Sequence, residues 1–323
     1  MTADYDGLIS YGDVEIEWEV LSEIFKKAEE SSVVLKLARK LRNMTTHEMD
    51  MKVTNELPDV YFVGEKGRTQ TFPADALKKV TNSCWETVEI HAGELAAIIV
   101  IPNNVFADAN FDVISEVKSQ LPTAIGHKID EAVFYGEPAT DVPDDWPEGI
   151  FFGMPAENIV DLSGFADIYD AVLGADGVFA QVEADGYEVN GIVAANTLKA
   201  QLRGLRADAG TGAPIFQPSM QAAGQYTLAG VPMDFPTNGG FDASQTLMIA
   251  GDWNQLVYSL RQDVKFDVFT TGVIQDGEGV IIHNLMQEDL TAIRCTFRMG
   301  WAMPIPATNV TISGEAYPFS ALV

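Results

Sequence analysis

The sequence predicts an α+β protein of more than one domain, and three observations carry that expectation. A nearly continuous apolar run at residues 95–101 passes within a few positions into a long stretch of helical periodicity at 111–134. A second region, 136–283, mixes short helical and strand-like patterns between Gly- and Pro-rich breaks. Near the end, "DLTAIRCTFRMGWAMPIPATNVTIS" alternates well enough for one long strand, which has to join a sheet made elsewhere. At 323 residues the chain also exceeds the roughly 250–300 at which single cores stop growing.

The elements follow in order. "LSEIFKKAEESSVVLKLARKL" places Leu21, Ile24, Phe25 and Ala28, then Val34, Leu37, Ala38 and Leu41, at helical spacings, so two short amphipathic helices are predicted with a break at Ser31-Ser32. Residues 44–53 read as an extended exit. A long hairpin comes next, one arm starting at Tyr61, Phe62 and Val63 and the other formed by 85–90, punctuated by Gly64, Gly67, Pro73 and Asp75. An arm of about 20 residues reaches at most ~60 Å. Such a ribbon is hazardous unless a partner covers its edges. The run 95–101 is expected to be a strand buried on both faces, broken by Pro102 and Asn103-Asn104. Asn110 is the expected cap of the long helix, whose apolar face carries Ile114, Val117, Leu121, Ala124, Ile125, Ile129, Ala132 and Val133, with a kink at Pro122. "GEPATDVPDDWPEGIFFGMPAE" reads as the boundary into a second domain, in which a helix over 163–184, a buried strand "GIVAAN", a helix over 197–205 and strands in "PIF", "YTLAGVPMDF", "QTLMIAGDW" and "VKFDVF" are predicted.

Composition bounds the function. Apolar residues make up 47% and aromatics 10%, enough to offset chain entropy, so the net charge of −27 belongs to surfaces rather than to disorder. That charge is uneven. Residues 20–82 hold 11 basic and nine acidic side chains, a net of +2, and the remainder holds 9 basic and 38 acidic, a net of −29. Either solvated helix faces happen to be basic there, or this segment leaves its own subunit and lies on a neighbour's acidic surface. A pI of about 4.3 disfavours nucleic-acid binding by the whole surface, because backbone affinity comes from Lys and Arg. No run of about 18 apolar residues and no signal peptide is evident, so a soluble chain made in the cytoplasm is expected. Cys84 and Cys295 are expected to be reduced, half-buried thiols in strands.

The search for catalytic chemistry is mostly negative. "VGEKGRT" lacks the spacing that lets backbone amides cradle phosphates, and "THEMD" lacks the second histidine of a zincin. No nucleophile elbow occurs, and His47, His91, His127 and His283 fall in unrelated segments and read as surface or structurally satisfied histidines. "EADGYE" and "QDGEG" lack the calcium-loop register. No catalytic, cofactor-binding or metal-binding residue is assigned, no cofactor is expected, and the protein is read as no enzyme. The candidate functional residues are the cations Lys36, Arg39, Lys40, Arg42, Lys66, Arg68, Lys78 and Lys79, read as inter-subunit contacts.

The order of a basic helical arm, a long hairpin, a strand feeding a long helix, a second α/β domain and a late returning strand resembles the major capsid protein of tailed double-stranded DNA bacteriophages, the Hong Kong 97-like fold. The resemblance runs over residues 21–312, through "AAIIVIPNNVFADANFDVISEV", "AVFYGEP", "GIVAANTLKAQLRGLRADAGTGAPIF", "YTLAGVPM", "DFPTN" and "LTAIRCTFRMGWAMPIP". It implies an N-terminal arm at 1–42, an extended loop at 54–91, a peripheral domain with a spine helix from 43–53, 92–135 and 284–323, and an axial domain at 136–283. It further implies a structural subunit that self-assembles as pentamers and hexamers into an icosahedral head around double-stranded DNA, in a virion put together in the host bacterial cytoplasm. Portal and decoration proteins are implied partners; sequence-specific nucleic-acid binding and membranes are not. The founding member crosslinks a loop lysine to an asparagine with help from a glutamate. The region near Val88 has no lysine here and Thr296 stands at the glutamate position, so no self-catalysed crosslink is expected. Only some twenty residues precede the arm, which points to a separate scaffolding protein or a processed chain, Met1 favouring the former. A cellular nanocompartment shell of the encapsulin type is the alternative within the fold. An acidic metal-dependent hydrolase and a surface-binding adhesin are alternatives from other classes, the first marked by retained metal in a cleft and the second by an exposed aromatic or Gly/Asn-rich loop face.

Overall fold

The late alternation does make one long strand, β13 (Leu290–Ala302), and it lies inside a four-stranded sheet. The structure, a computed structural model, describes residues 27–58, 83–108, 113–138, 140, 142–204, 226–308 and 316–323. Sheet order is β1 (Arg39–Lys40), β10 (Val257–Phe269), β13 and β4 (Gly93–Pro102). β13 runs antiparallel to both neighbours, with Cys295 opposite Phe266 on one side and Ala97 on the other.

Among the described residues the apolar run at 95–101 is an edge strand, and only one of its faces is covered, which corrects the expectation of burial on both. Leu95, Ala97, Ile99 and Ile101 turn toward the core, whereas Glu94, Ala96 and Ile98 turn away, Ile98 being 52% exposed. The run looked two-sided because alanine and isoleucine fill the outward positions that polar residues usually take. A short helix α1 (Val33–Leu37), α2 (Asn103–Asp108) and the long helix α3 (Val113–Tyr135) belong to this half of the molecule. At 23 residues α3 is about 34 Å long, and Pro122 sits inside it. The expected cap Asn110 lies outside the described residues. Its buried side carries Leu121, Ile125, Ile129, Ala132 and Val133, as the spacing predicts, but Ala124 is exposed and Asp130 is fully buried.

The arm breaks where expected. Residues 27–31 are helical, Ser32 interrupts, and α1 follows with the Ser32 side chain accepting from the Leu35 amide. The hairpin pairs β2 (Glu48–Glu56) with β3 (Cys84–His91), so its first arm begins earlier than the sequence suggested, in the segment read as an exit. Met49 faces Ile90 and Met51 faces Val88, a period-two pattern hidden by the charged residues between. The expected start at 61–63 lies outside the described residues.

A second, six-stranded sheet runs β5 (Ile159–Val160), β14 (Phe319–Leu322), β9 (Met248–Gly251), β6 (Gly191–Ala194), β8 (Val231–Asp234) and β7 (Tyr226–Leu228). β6, the "GIVA" run, is buried throughout, as expected. β7 and β8 meet across a two-residue turn, Ala229 and Gly230, both with positive φ (52° and 87°), the combination that matches strand twist in a tight hairpin. The single helix expected over 163–184 is instead α4 (Ile168–Leu173) and α5 (Val178–Ala184). Gly174 and Gly177 divide them, and a Cβ on Gly177 would stand 2.9 Å from the backbone of Ala171 and Val172. Helix α6 (Leu198–Gly204) follows β6, and β11 (Val273–Gln275) pairs with β12 (Ile281–Asn284) in a small antiparallel hairpin. β14 places the end of the chain in this sheet and β10 places 257–269 in the other, against the segment assignment expected from the resemblance.

The two sheets share a core. Between β9 and β10 the chain passes from one to the other through Trp253, which meets Phe319 at 5.1 Å and Phe134 of α3 at 6.2 Å between ring centroids. Gly191 lies so close that a Cβ there would be 2.6 Å from the Trp253 ring.

Candidate functional site

The surfaces singled out by the sequence are the arm and the ribbon. The arm is held by a charged residue that sequence periodicity missed. Asp130 Oδ1 accepts from Ser32 Oγ at 2.5 Å and the Val34 amide at 3.1 Å, and Oδ2 accepts from the Val33 amide at 3.1 Å and Asn238 Nδ2 at 2.7 Å. Burial pushes the carboxyl above its ordinary range, and the four donors pull it partly back. Those donors include the free amides at the start of α1, so a carboxylate from α3 caps the arm helix across the interface. Ser31 Oγ also donates to the Pro122 carbonyl at 3.2 Å, and Gly126 allows this approach, since a Cβ there would be 2.3 Å from Ser31 Oγ.

Beyond α1 the chain runs along β10. The amides of Arg39, Leu41 and Met44 donate to the carbonyls of Leu256, Tyr258 and Leu260 at 2.7–2.9 Å. Of the candidate cations, Lys36 reaches Asp234 at 2.6 Å and Lys40 reaches Glu29 at 3.1 Å, both within the same chain. Arg39 and Arg42 are exposed at the sheet edge, and no ion pair of theirs is found among the described residues. Lys66, Arg68, Lys78 and Lys79 lie outside the described residues.

The ribbon of β2 and β3 forms a two-stranded sheet of its own. Its base is rooted in a small cluster of Met44, Ile90, Ala92, Val257 and Ala302, with Ile90 fully buried. Further out the Ala307 amide donates to the Thr54 carbonyl of β2 at 2.9 Å, while β3 is open and Trp85 is 66% exposed. Isolated two-stranded ribbons are marginal in water, so rooting and any further contact decide its stability.

The histidines are not all apart. Because Glu48 pairs with His91, the preceding His47 stands beside it, ring centroids 6.3 Å apart, and Asp145 approaches both. Their sequence separation concealed this. Neither cysteine is half-buried: Cys84 is exposed, and Cys295 is buried beside an apolar cavity of about 310 Å³ between β4 and α3, where burial pushes its thiol up to about 11. Among the described residues no helix is long and apolar enough to cross a membrane.

A four-stranded sheet backed by a long helix, a six-stranded sheet flanked by short helices and a ribbon leaving the first sheet are the arrangement of the Hong Kong 97-like fold. The chain belongs to the phage capsid family, whose sequence pattern matches residues 12–307. Among solved structures it is similar to a chain from Microbacterium phage Oxtober96, with 24% identity, 91% of each chain covered and a TM-score of 0.75. One from Mycobacterium phage Bobi aligns over 100% of this chain and 94% of that one, at 22% identity and a TM-score of 0.73. A chain titled "Capsid of native GTA particle computed with C5 symmetry" covers 98% and 94% at 15% identity and a TM-score of 0.61. A search of the curated proteins gave no match. The protein is thus a major capsid protein, a structural component of the virion shell, and the family match favours the phage head over the cellular nanocompartment.

Proposed function

We propose that copies of this chain assemble as pentamers and hexamers into an icosahedral head around double-stranded DNA, each laying its ribbon and arm across the next copy. The observation that carries this reading is the ribbon, a two-stranded sheet rooted at its base, met further out by the Ala307 amide on the Thr54 carbonyl, and presenting an exposed tryptophan. Such an edge gains stability by pairing with or lying on another chain. In this reading the four-stranded sheet with α3 is the peripheral domain and the six-stranded sheet is the axial domain. Of the candidate cations, Arg39 and Arg42, without an ion pair among the described residues, are left to meet a neighbour's acidic surface, together with Lys66, Arg68, Lys78 and Lys79. Contacts repeated about symmetry axes are individually modest, so number and overlap supply the strength.

The subunit has no catalytic task in this reading. Assembly takes place in the host bacterial cytoplasm, guided by a separate scaffolding protein, with a portal at one vertex and a decoration protein on the outer face. Negative-stain microscopy of the purified protein, alone and with the candidate scaffold, tests it. Closed shells or capsomers are expected. A species that stays monomeric in both preparations speaks against it.

A further inference from the structure

The strongest unexplained cluster lies where the ribbon leaves the body of the protein. His47 closes the entrance to β2 and its carbonyl accepts from the Ala92 amide at 2.9 Å, while His91 ends β3. Asp145 comes from the loop between α3 and the second sheet. That loop is fixed by its next residue, Trp146, which is 5% exposed and whose ring packs directly on Gly93. One ligand atom from each of His47, His91 and Asp145 can be chosen so that all lie within 4.8 Å of one another.

A second observation points to a ligand. The Nδ1 atom of His91 is buried and has no hydrogen-bond partner, its nearest carboxylate oxygen, on Glu48, being 3.9 Å away. A buried ring nitrogen left without a partner is costly, and a cation is one of the few groups that can use its lone pair. Glu89 lies 3.6 Å from the other ring nitrogen. Two imidazoles and a carboxylate, with another carboxylate in reach, form a donor set suited to zinc-class ions rather than to calcium or magnesium, which prefer oxygen cages.

We propose that His47, His91 and Asp145 bind a divalent transition-metal cation that ties the base of the ribbon to the loop carrying Asp145. Bonds of about 2.0–2.2 Å to a tetrahedral ion place ligand atoms about 3.3–3.6 Å apart. His47 and Asp145 are exposed and can swing inward by the difference, whereas His91, 20% exposed, stays as the fixed point. Glu48 or Glu89 supplies the fourth ligand or, failing that, compensating charge. The metal then sets the direction in which the ribbon departs, since it joins both ends of the ribbon to a part of the chain 54 positions beyond His91.

The test uses the full-length protein with Zn²⁺ alone, by calorimetry, and with Co²⁺ alone, by visible absorption. One equivalent of zinc per chain and the absorption of a four-coordinate cobalt ion are expected, with a rise in melting temperature on zinc addition. His47→Ala and Asp145→Asn, both surface changes, lower zinc affinity at least about tenfold, as does His91→Ala. His127→Ala leaves binding unchanged. No uptake at micromolar free zinc, or stoichiometric uptake that survives His47→Ala and Asp145→Asn, overturns the proposal. Uptake abolished by His283→Ala moves the metal to the exposed His283–Glu288 pair and overturns it equally.

Discussion

Asp130 and Ser32, 98 positions apart, meet at 2.5 Å in the interior, and through this contact α3 holds the arm on the body of the subunit. Replacing Asp130 by alanine leaves the buried amides of Val33 and Val34 and the hydroxyl of Ser32 without their acceptor, at a cost of about 3 kcal/mol or more. Denaturant titration measures the loss. Proteolysis within 33–44 is expected to accelerate at the same time, because the arm detaches before the body unfolds. Asp130→Asn, which keeps one acceptor oxygen, is expected to fall between the two.

The approach of Trp146 to Gly93 predicts a different kind of sensitivity. A Cβ at position 93 would stand 2.6 Å from the Trp146 ring, which is walled in by its neighbours. Gly93→Ala should therefore cost about 1–3 kcal/mol through overpacking. A wild-type unfolding midpoint for this variant would show that the loop carrying Trp146 yields freely.

Acid should weaken the four-stranded sheet through Asp267. The hydrogen bond from Arg294 at 2.7 Å, and then the contact with Lys265, hold its carboxyl below the ordinary value of 3.8. A depressed native value means that the stabilisation is fully present above pH ~4 and is lost as the pH falls through the lowered value. Because Arg294 is 42% exposed, screening limits the effect to no more than about 1 kcal/mol. Urea midpoints measured from pH 5 down to pH 2 should fall less steeply for Arg294→Ala than for the unmodified chain.

The two thiols should differ in reactivity. With its value pushed up to about 11, Cys295 is ionised to roughly a thousandth at pH 8, and it is also buried, whereas Cys84 is exposed. Iodoacetamide followed by mass spectrometry should give one adduct, on Cys84. Rapid labelling of both would mean that β13 opens in the native state.

Charge reversal tests the assembly reading. Arg39→Glu with Arg42→Glu, and Lys78→Glu with Lys79→Glu, should each reduce capsomer formation while leaving the melting temperature of the isolated subunit within a few degrees. Equal loss of folding and assembly would contradict an inter-subunit role. Mature particles boiled in detergent should release one band at 35.1 kDa, and a covalent ladder would contradict the absence of a self-catalysed crosslink.

Local pattern was enough to read the arm helices split at Ser32, the long helix with its face of Leu121, Ile125 and Ile129, the wholly buried "GIVA" strand and the long strand containing Cys295. Each is written in the spacing of apolar residues along a few turns or pleats. The ribbon was legible as a ribbon, though its first arm was misplaced because Met49, Met51 and Val53 alternate with charges that masked the strand.

What the residues by themselves determined is the mixed class of the molecule, the order and kind of most of its elements and the acidic balance of its charge, while the shell reading came through the resemblance. Tertiary structure alone decided that 319–322 lies within the second sheet, that 93–102 is an edge among the described strands, that Asp130 is buried as a cap and that His47 stands beside His91. The reason is one of range. Periodicity is a property of neighbours in sequence, whereas sheet membership and the satisfaction of a buried charge are settled by partners distant in the chain, and no local spacing encodes them.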